Sequence, residues 1–166
     1  MSEQDLEGKT RGELLALALR AVRAIRPAKT SDLALALGLS VRGYQHFESG
    51  GGQLNIDHVL NFGAAMDCDP FGVLVSVQIR HPEFAAYVAQ NKAMIALLIG
   101  LQEFVEDTGD AIALLETATV MSSYRAMFKD LSAQALALRE KKADWQADNA
   151  KRLGLPRRTN DENEGS

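Results

Sequence analysis

The chain has 166 residues, room for about one to two small domains. Apolar residues make up 46% and charged residues 24%, proportions of a globular chain rather than a disordered one. A single cysteine, Cys68, excludes an intramolecular disulfide and with it a disulfide-stapled secreted scaffold. The opening MSEQDLEGKT is acidic and polar, which predicts no signal peptide and a disordered segment over residues 1–10. The longest apolar run, Ala93 to Leu101, is too short to span a bilayer, so no membrane association and a cytoplasmic location are expected.

From Glu13 to Ile25, Leu14, Leu15, Ala18, Leu19, Val22 and Ile25 recur at helical spacing, and Pro27 ends the run. Thr30 or Ser31 is placed to cap a second helix, Asp32 to Leu37, which Gly38 stops. Ser40 caps a third, from Val41 to about Ser49, closed by Gly50, Gly51 and Gly52. A fourth opens near Asn55 and runs through Met66, with Ile56, Val59, Leu60 and Ala64 on one side. Asp69 and Pro70 form a cap and first-turn pair for a fifth, to about Ile79.

His81-Pro82 reads as a boundary, because proline disfavours a helical residue before it. Beyond it, residues 82–107 read as one long helix with a wide apolar face, the mark of a helix covered on more than one side. A last helix is predicted from Ala111 to about Leu153. It carries a seven-residue repeat: Leu114, Met121, Phe128, Ala135 and Lys142 in one register, Thr117, Tyr124, Leu131, Leu138 and Trp145 three residues on. This stripe is expected to pack within one subunit as a helical hairpin, to pair with a second copy, or both; two faces this wide favour both. The polar tail 154–166 reads as disordered. Strand signals are absent, so the expected class is all-α, divided into residues 11–80 and 82–153.

Three short helices joined by tight turns suit a helix-turn-helix. In TSDLALALGLSVRGYQHFESG, Leu33, Ala34 and Leu37 face inward and Gly38 makes the turn. Tyr44 and Phe47 dock the next helix, which leaves Val41, Arg42, Gln45, His46 and Ser49 outside. With Leu33-Ala34, Gly38-Leu39-Ser40 and Glu48-Ser49-Gly50 at these spacings, residues of about 14–78 resemble the Cro/C1-type (XRE) helix-turn-helix family of phage and bacterial repressors.

The resemblance implies a five-helix, lambda-repressor-like domain that binds double-stranded operator DNA, followed by a coiled-coil-like helical region that dimerises it. Arg23 and Glu48 match a pair often salt-bridged in the family. Val41, Arg42 and His46 match positions that read base edges; an arginine there can bridge O6 and N7 of one guanine. Gln45 stands beside them, Ser40 caps the helix, and Thr30 matches a phosphate-holding position. Where the family often has basic residues and proline, this chain has Gly51, Gly52, Gln53 and Leu54; the glycines keep N–H groups able to approach phosphate. Gly43 lowers helix propensity and either permits close approach to DNA or is simply tolerated. Cys68 matches an apolar core position, which implies a buried, inert thiol.

The stripe residues Leu114, Met121, Tyr124, Phe128, Leu131, Leu138 and Trp145 are the expected dimerisation set. The chain is thus expected to be a nucleoid-associated, dimeric transcriptional regulator on two half-sites. A protein-interaction regulator, antitoxin-like or RNA-polymerase-binding, and a ligand sensor working through the C-terminal helices are the alternatives. His58 and His81 read as surface or cap residues. The three histidines and one cysteine show no metal-ligand spacing, no phosphate-loop Lys-Ser/Thr follows the glycines, and no catalytic constellation is found, so neither a cofactor nor an enzyme is expected.

The net charge of −4 argues against nucleic acid until it is divided. Residues 11–50 hold six basic side chains against three acidic ones, a local +3 that leaves −7 to the remainder. A basic patch this modest predicts weak nonspecific binding and a need for two copies on a matched site.

Overall fold

The computed structural model describes residues 6–51 and 54–154. Residues 1–5, loop residues 52 and 53, and the tail from 155 onward lie outside the described residues, and with them most of the expected disorder. The described chain is all-α, with eight α-helices, one short 3-10 helix and no strand. It divides into two compact units, Met1–Gly109 and Asp110–Ser166.

In the first unit, α1 spans Arg11–Ile25. It starts two residues before the sequence reading because Thr10 and Glu13 form a capping box: Glu13 N donates to Thr10 Oγ1 at 3.2 Å, and Thr10 N to Glu13 Oε2 at 2.7 Å. Donation from Thr10 N, then from the Thr10 hydroxyl at 2.9 Å, holds the Glu13 carboxyl below its usual range. Leu14, Leu15, Ala18, Leu19 and Val22 are buried, whereas Ile25, expected with them, is 45% exposed in the last turn. Residues ahead of α1 are not free either. Leu6 is buried in the core, and Arg80 donates to the carbonyls of Leu6, Glu7 and Lys9.

Helix α2, Thr30–Ala36, takes Lys29 as its N-cap, with no side-chain cap; Thr30 and Ser31 lie inside its first turn. Gly38 makes the following turn with φ +67°, where a side chain would be strained. Helix α3, Val41–Glu48, is capped by Ser40 Oγ, which accepts from Gly43 N at 3.0 Å. Helix α4, Ile56–Met66, is capped by Asn55. Its buried face is Val59, Phe62, Gly63 and Met66; Ile56 is 55% exposed and Ala64 is exposed, so the apolar side sits one step around from the expected one.

Helix α5, Pro70–Gln78, follows the Asp69 cap. The long helix expected over 82–107 is two pieces: α6, Phe84–Val88, and α7, Ala93–Thr108. The chain breaks at Lys92, whose φ is 55°, and two side chains cap the new start. Asn91 Oδ1 accepts from Ala93 N at 3.1 Å. Asp69 Oδ2 accepts from Met94 N at 2.7 Å and Ile95 N at 3.2 Å, while Oδ1 serves Phe71 N and Gly72 N. One fully buried carboxylate thus caps α5 and α7 together. The expected boundary near residue 81 falls inside this unit, because Ala85 and Ala89 belong to the same core as α1 and α5.

Asp67, with φ 46°, ends α4 and ties α1 to the α6–α7 break through Arg26 Nη1 at 2.9 Å and Lys92 Nζ at 3.0 Å. Arg26 first, then Lys92, holds its carboxyl below the usual range. A depressed folded-state value stabilises the fold above the ordinary carboxylate pKa of about 3.9 and is lost as pH falls through the lower one. Between about pH 7 and about pH 3, the thermal midpoint of the wild type should therefore fall further than that of Asp67→Asn. Parallel pH profiles would show the ties to be inert. Cys68 beside it is buried, and burial pushes its thiol up to about 11.

The second unit is dominated by α8, Thr117–Arg152, a helix of 36 residues with none buried. It begins six residues later than expected because a 3-10 turn occupies Gly109–Leu114, which leaves Leu114 outside the helix and 84% exposed. Lys151 and Arg152 in the last turn oppose the negative end of the helix dipole. Among the described residues, no helix is long and apolar enough to cross a membrane.

Candidate nucleic-acid interface

Helices α2 and α3 are held by one small core. Leu33 and Ala34 of α2 and its C-cap Leu37 share a core with Tyr44 and Phe47 of α3, all at 6% exposure or less. The Tyr44 and Phe47 rings lie 6.2 Å apart, and His58 of α4 packs edge-on against Phe47 at 5.5 Å. With one face of α3 buried, helical spacing carries Val41, Arg42 and Gln45 to the opposite side, where all are exposed. Ser40 is exposed at the N-terminus.

The buried side of α3 is also fastened by charge. Arg23 Nη1 donates to Glu48 Oε1 at 2.5 Å, and Tyr44 Oη donates to the same oxygen at 3.1 Å. Arg23 Nη2 donates to the Ala28 carbonyl at 2.7 Å. Three separate pieces of chain therefore meet at one guanidinium: α1, the turn after it, and α3. The Arg23 and Glu48 side chains retain 24% and 17% exposure, so the pair is largely but not wholly dry. Burial, then the neighbouring Glu48 carboxylate, pushes the Tyr44 phenol upward, so it stays a hydrogen-bond donor. A groove of about 310 Å³ opens beside the pair, lined by Arg20, Arg23, Ala24, Pro27, Ala28 and Glu48.

The remaining sequence candidates fall in different settings. Thr30 is partly exposed in the first turn of α2. Gly43 does not open onto the outer face: a Cβ there would meet Ser40 Oγ at 3.2 Å and Leu39 Cβ at 3.7 Å. Its missing side chain makes room for the cap. His46 is exposed, but its ring lies against Gly51, where a Cβ would stand 2.2 Å from His46 Cε1. Gly51 N donates to the His46 carbonyl at 2.8 Å, so that amide is engaged within the loop.

Two features escaped the sequence reading. The Tyr44 hydroxyl joins Glu48 one helical turn away, a spacing visible in the sequence but taken there as an apolar dock. Gly12 and Gly50 bring α1 and the end of α3 into backbone contact. A Cβ on Gly12 would lie 2.3 Å from the Gly50 carbonyl oxygen, and a Cβ on Gly50 would lie 2.0 Å from that of Gly12. Among the described residues, no group of three His, Cys, Asp or Glu side chains is arranged to hold a metal ion. No protein-family model, curated protein or solved structure matches this chain.

Proposed function

We propose that the chain is a sequence-specific, DNA-binding transcriptional regulator, a homodimeric repressor of bacterial or phage type. In this reading α2 and α3 form the helix-turn-helix, α3 enters the major groove, and α8 joins two copies. One observation carries it. Arg23, Glu48 and Tyr44 fix α3 from its buried side while Val41, Arg42 and Gln45 stand in solvent on the other. A reading helix needs this combination, since base contacts discriminate only when the helix cannot shift to relax a mismatch.

Arg42 is assigned to a guanine, its guanidinium bridging O6 and N7, and Val41 to a thymine methyl. Gln45 reaches a base edge or a phosphate. Thr30 and the part of the Arg23 guanidinium left exposed beside Glu48 are assigned to backbone phosphates, which set register but carry no sequence information. The chemistry is binding alone and calls for neither metal nor cofactor. Repression follows from occupying DNA that polymerase needs.

The test is Arg42→Ala on DNA selected from a random pool by the wild-type chain. Loss of one bidentate contact should weaken binding by about 1–3 kcal/mol and relax the preference at one base pair. Unchanged affinity with unchanged preference overturns the assignment. A second reading, a protein partner in place of DNA, is favoured by two exposed apolar side chains of the helix pair, Leu35 of α2 at 82% and Val41 of α3 at 48% exposure. Salt decides between them: several phosphate contacts require affinity to fall steeply with salt, and an apolar protein contact does not.

A further inference from the structure

The apolar stripe of α8 has no cover in its own helix, and its pattern says how a second copy would lie on it. Met121, Tyr124, Phe128, Leu131, Leu138 and Trp145 are 45–67% exposed, spread over about 36 Å of helix. At about half of the 150–250 Å² that a large side chain carries, these six expose on the order of 600 Å² per copy. A standard interface takes about 800 Å² per partner, so a second α8 is an occupant of the right size.

We infer that two copies of α8 pair antiparallel, centred on Ala133. This rests on the proposal that α8 joins two copies, and it adds the direction. In a parallel pair each residue of the stripe meets itself. Lys142 then faces Lys142 inside the seam, two like charges taken from water, and Ala135 faces Ala135 and leaves a gap. In the antiparallel pair centred on Ala133 the mismatches cancel. Leu131 fills the space over Ala135 of the second copy, and Phe128 meets Leu138. Trp145 meets Met121, a favourable sulfur–aromatic pairing. Lys142 comes to the Tyr124 ring, a cation–π contact with its ammonium near solvent. The arrangement also sets Arg125 against Arg139 at the rim, but both are exposed and screened by solvent, so the penalty is smaller than that of a Lys142 pair in the seam.

The direction is read by spin-label distances in the full chain. Thr119, Ala133 and Ala147 share the outward face of the helix two heptads apart, so each is labelled singly, as Thr119→Cys, Ala133→Cys or Ala147→Cys in a Cys68→Ala background. Solution mass is measured on the same samples. The antiparallel pair requires a dimer with a distance of about 20 Å at Ala133 and about 40 Å or more at the other two. A dimer with about 20 Å at all three sites overturns the antiparallel direction but keeps the α8 dimer. A dimer with no dipolar coupling at Ala133 overturns this pairing and moves the interface off α8. A monomer overturns both this inference and the dimeric reading it rests on.

Discussion

Asp69→Ala should destabilise the first unit by about 3–4 kcal/mol, since it removes two helix caps at once and leaves buried N–H groups without an acceptor. The wild-type carboxylate accepts from Phe71 and Gly72 with one oxygen and from Met94 and Ile95 with the other, and it is fully buried. Water cannot replace it without opening the core. Asp69→Asn separates the two caps. The remaining carbonyl can serve one helix, while the new NH₂ group points a donor at the donors of the other. Amide exchange at Phe71 and Gly72, compared with Met94 and Ile95, will report which helix is released. Denaturant unfolding that moves by less than about 1 kcal/mol for Asp69→Ala would show that the double cap contributes little.

Gly50→Ala is the second large effect, at about 3 kcal/mol. The new Cβ would stand 2.0 Å from the Gly12 carbonyl oxygen, and backbone cannot rotate aside as a side chain can. The φ of +77° at Gly50 adds a conformational penalty that Gly12→Ala escapes. Gly12→Ala should therefore cost less, and the double variant less than the sum of the two, because the same separation of α1 from α3 relieves both clashes. Strict additivity would mean that the two glycines do not share one contact. DNA affinity should fall in parallel if α3 is the reading helix, since its C-terminal end is what moves.

The legible parts of the fold were the local ones. Ser40, Asn55 and Asp69 each cap within three residues of their own position, and a cap of that kind can be read without knowing the tertiary structure. The break between α6 and α7 has only a weak local mark, the polar run Gln90, Asn91 and Lys92 with neither Gly nor Pro, and one of its two caps comes from Asp69, 25 residues upstream. Ile25 and Ile56 were misplaced for a related reason: periodicity finds a stripe but not where the neighbouring helices stop covering it. At the candidate interface, the exposed side of α3 follows from helical spacing once Tyr44 and Phe47 are taken as inward. Arg23 and Glu48 are 25 residues apart on different helices, a pairing that no spacing rule supplies; only the family resemblance suggested it. The Gly12–Gly50 contact had no signal at all, since a lone glycine near a helix start looks like a weak helix former.

Arg80 has a practical consequence for where this protein can be trimmed. Its guanidinium gathers three backbone carbonyls from one short stretch, those of Leu6, Glu7 and Lys9, and the Leu6 side chain reaches the same core as α1 and α5. A truncation that begins at the first residue of α1, Arg11, would remove a core plug, strip Thr10 from its capping box and leave Arg80 without the carbonyls of Leu6, Glu7 and Lys9. The working edge of the domain therefore lies upstream of Leu6, and a protease or a fusion junction placed at residues 6–10 cuts into the folded body rather than into a tail.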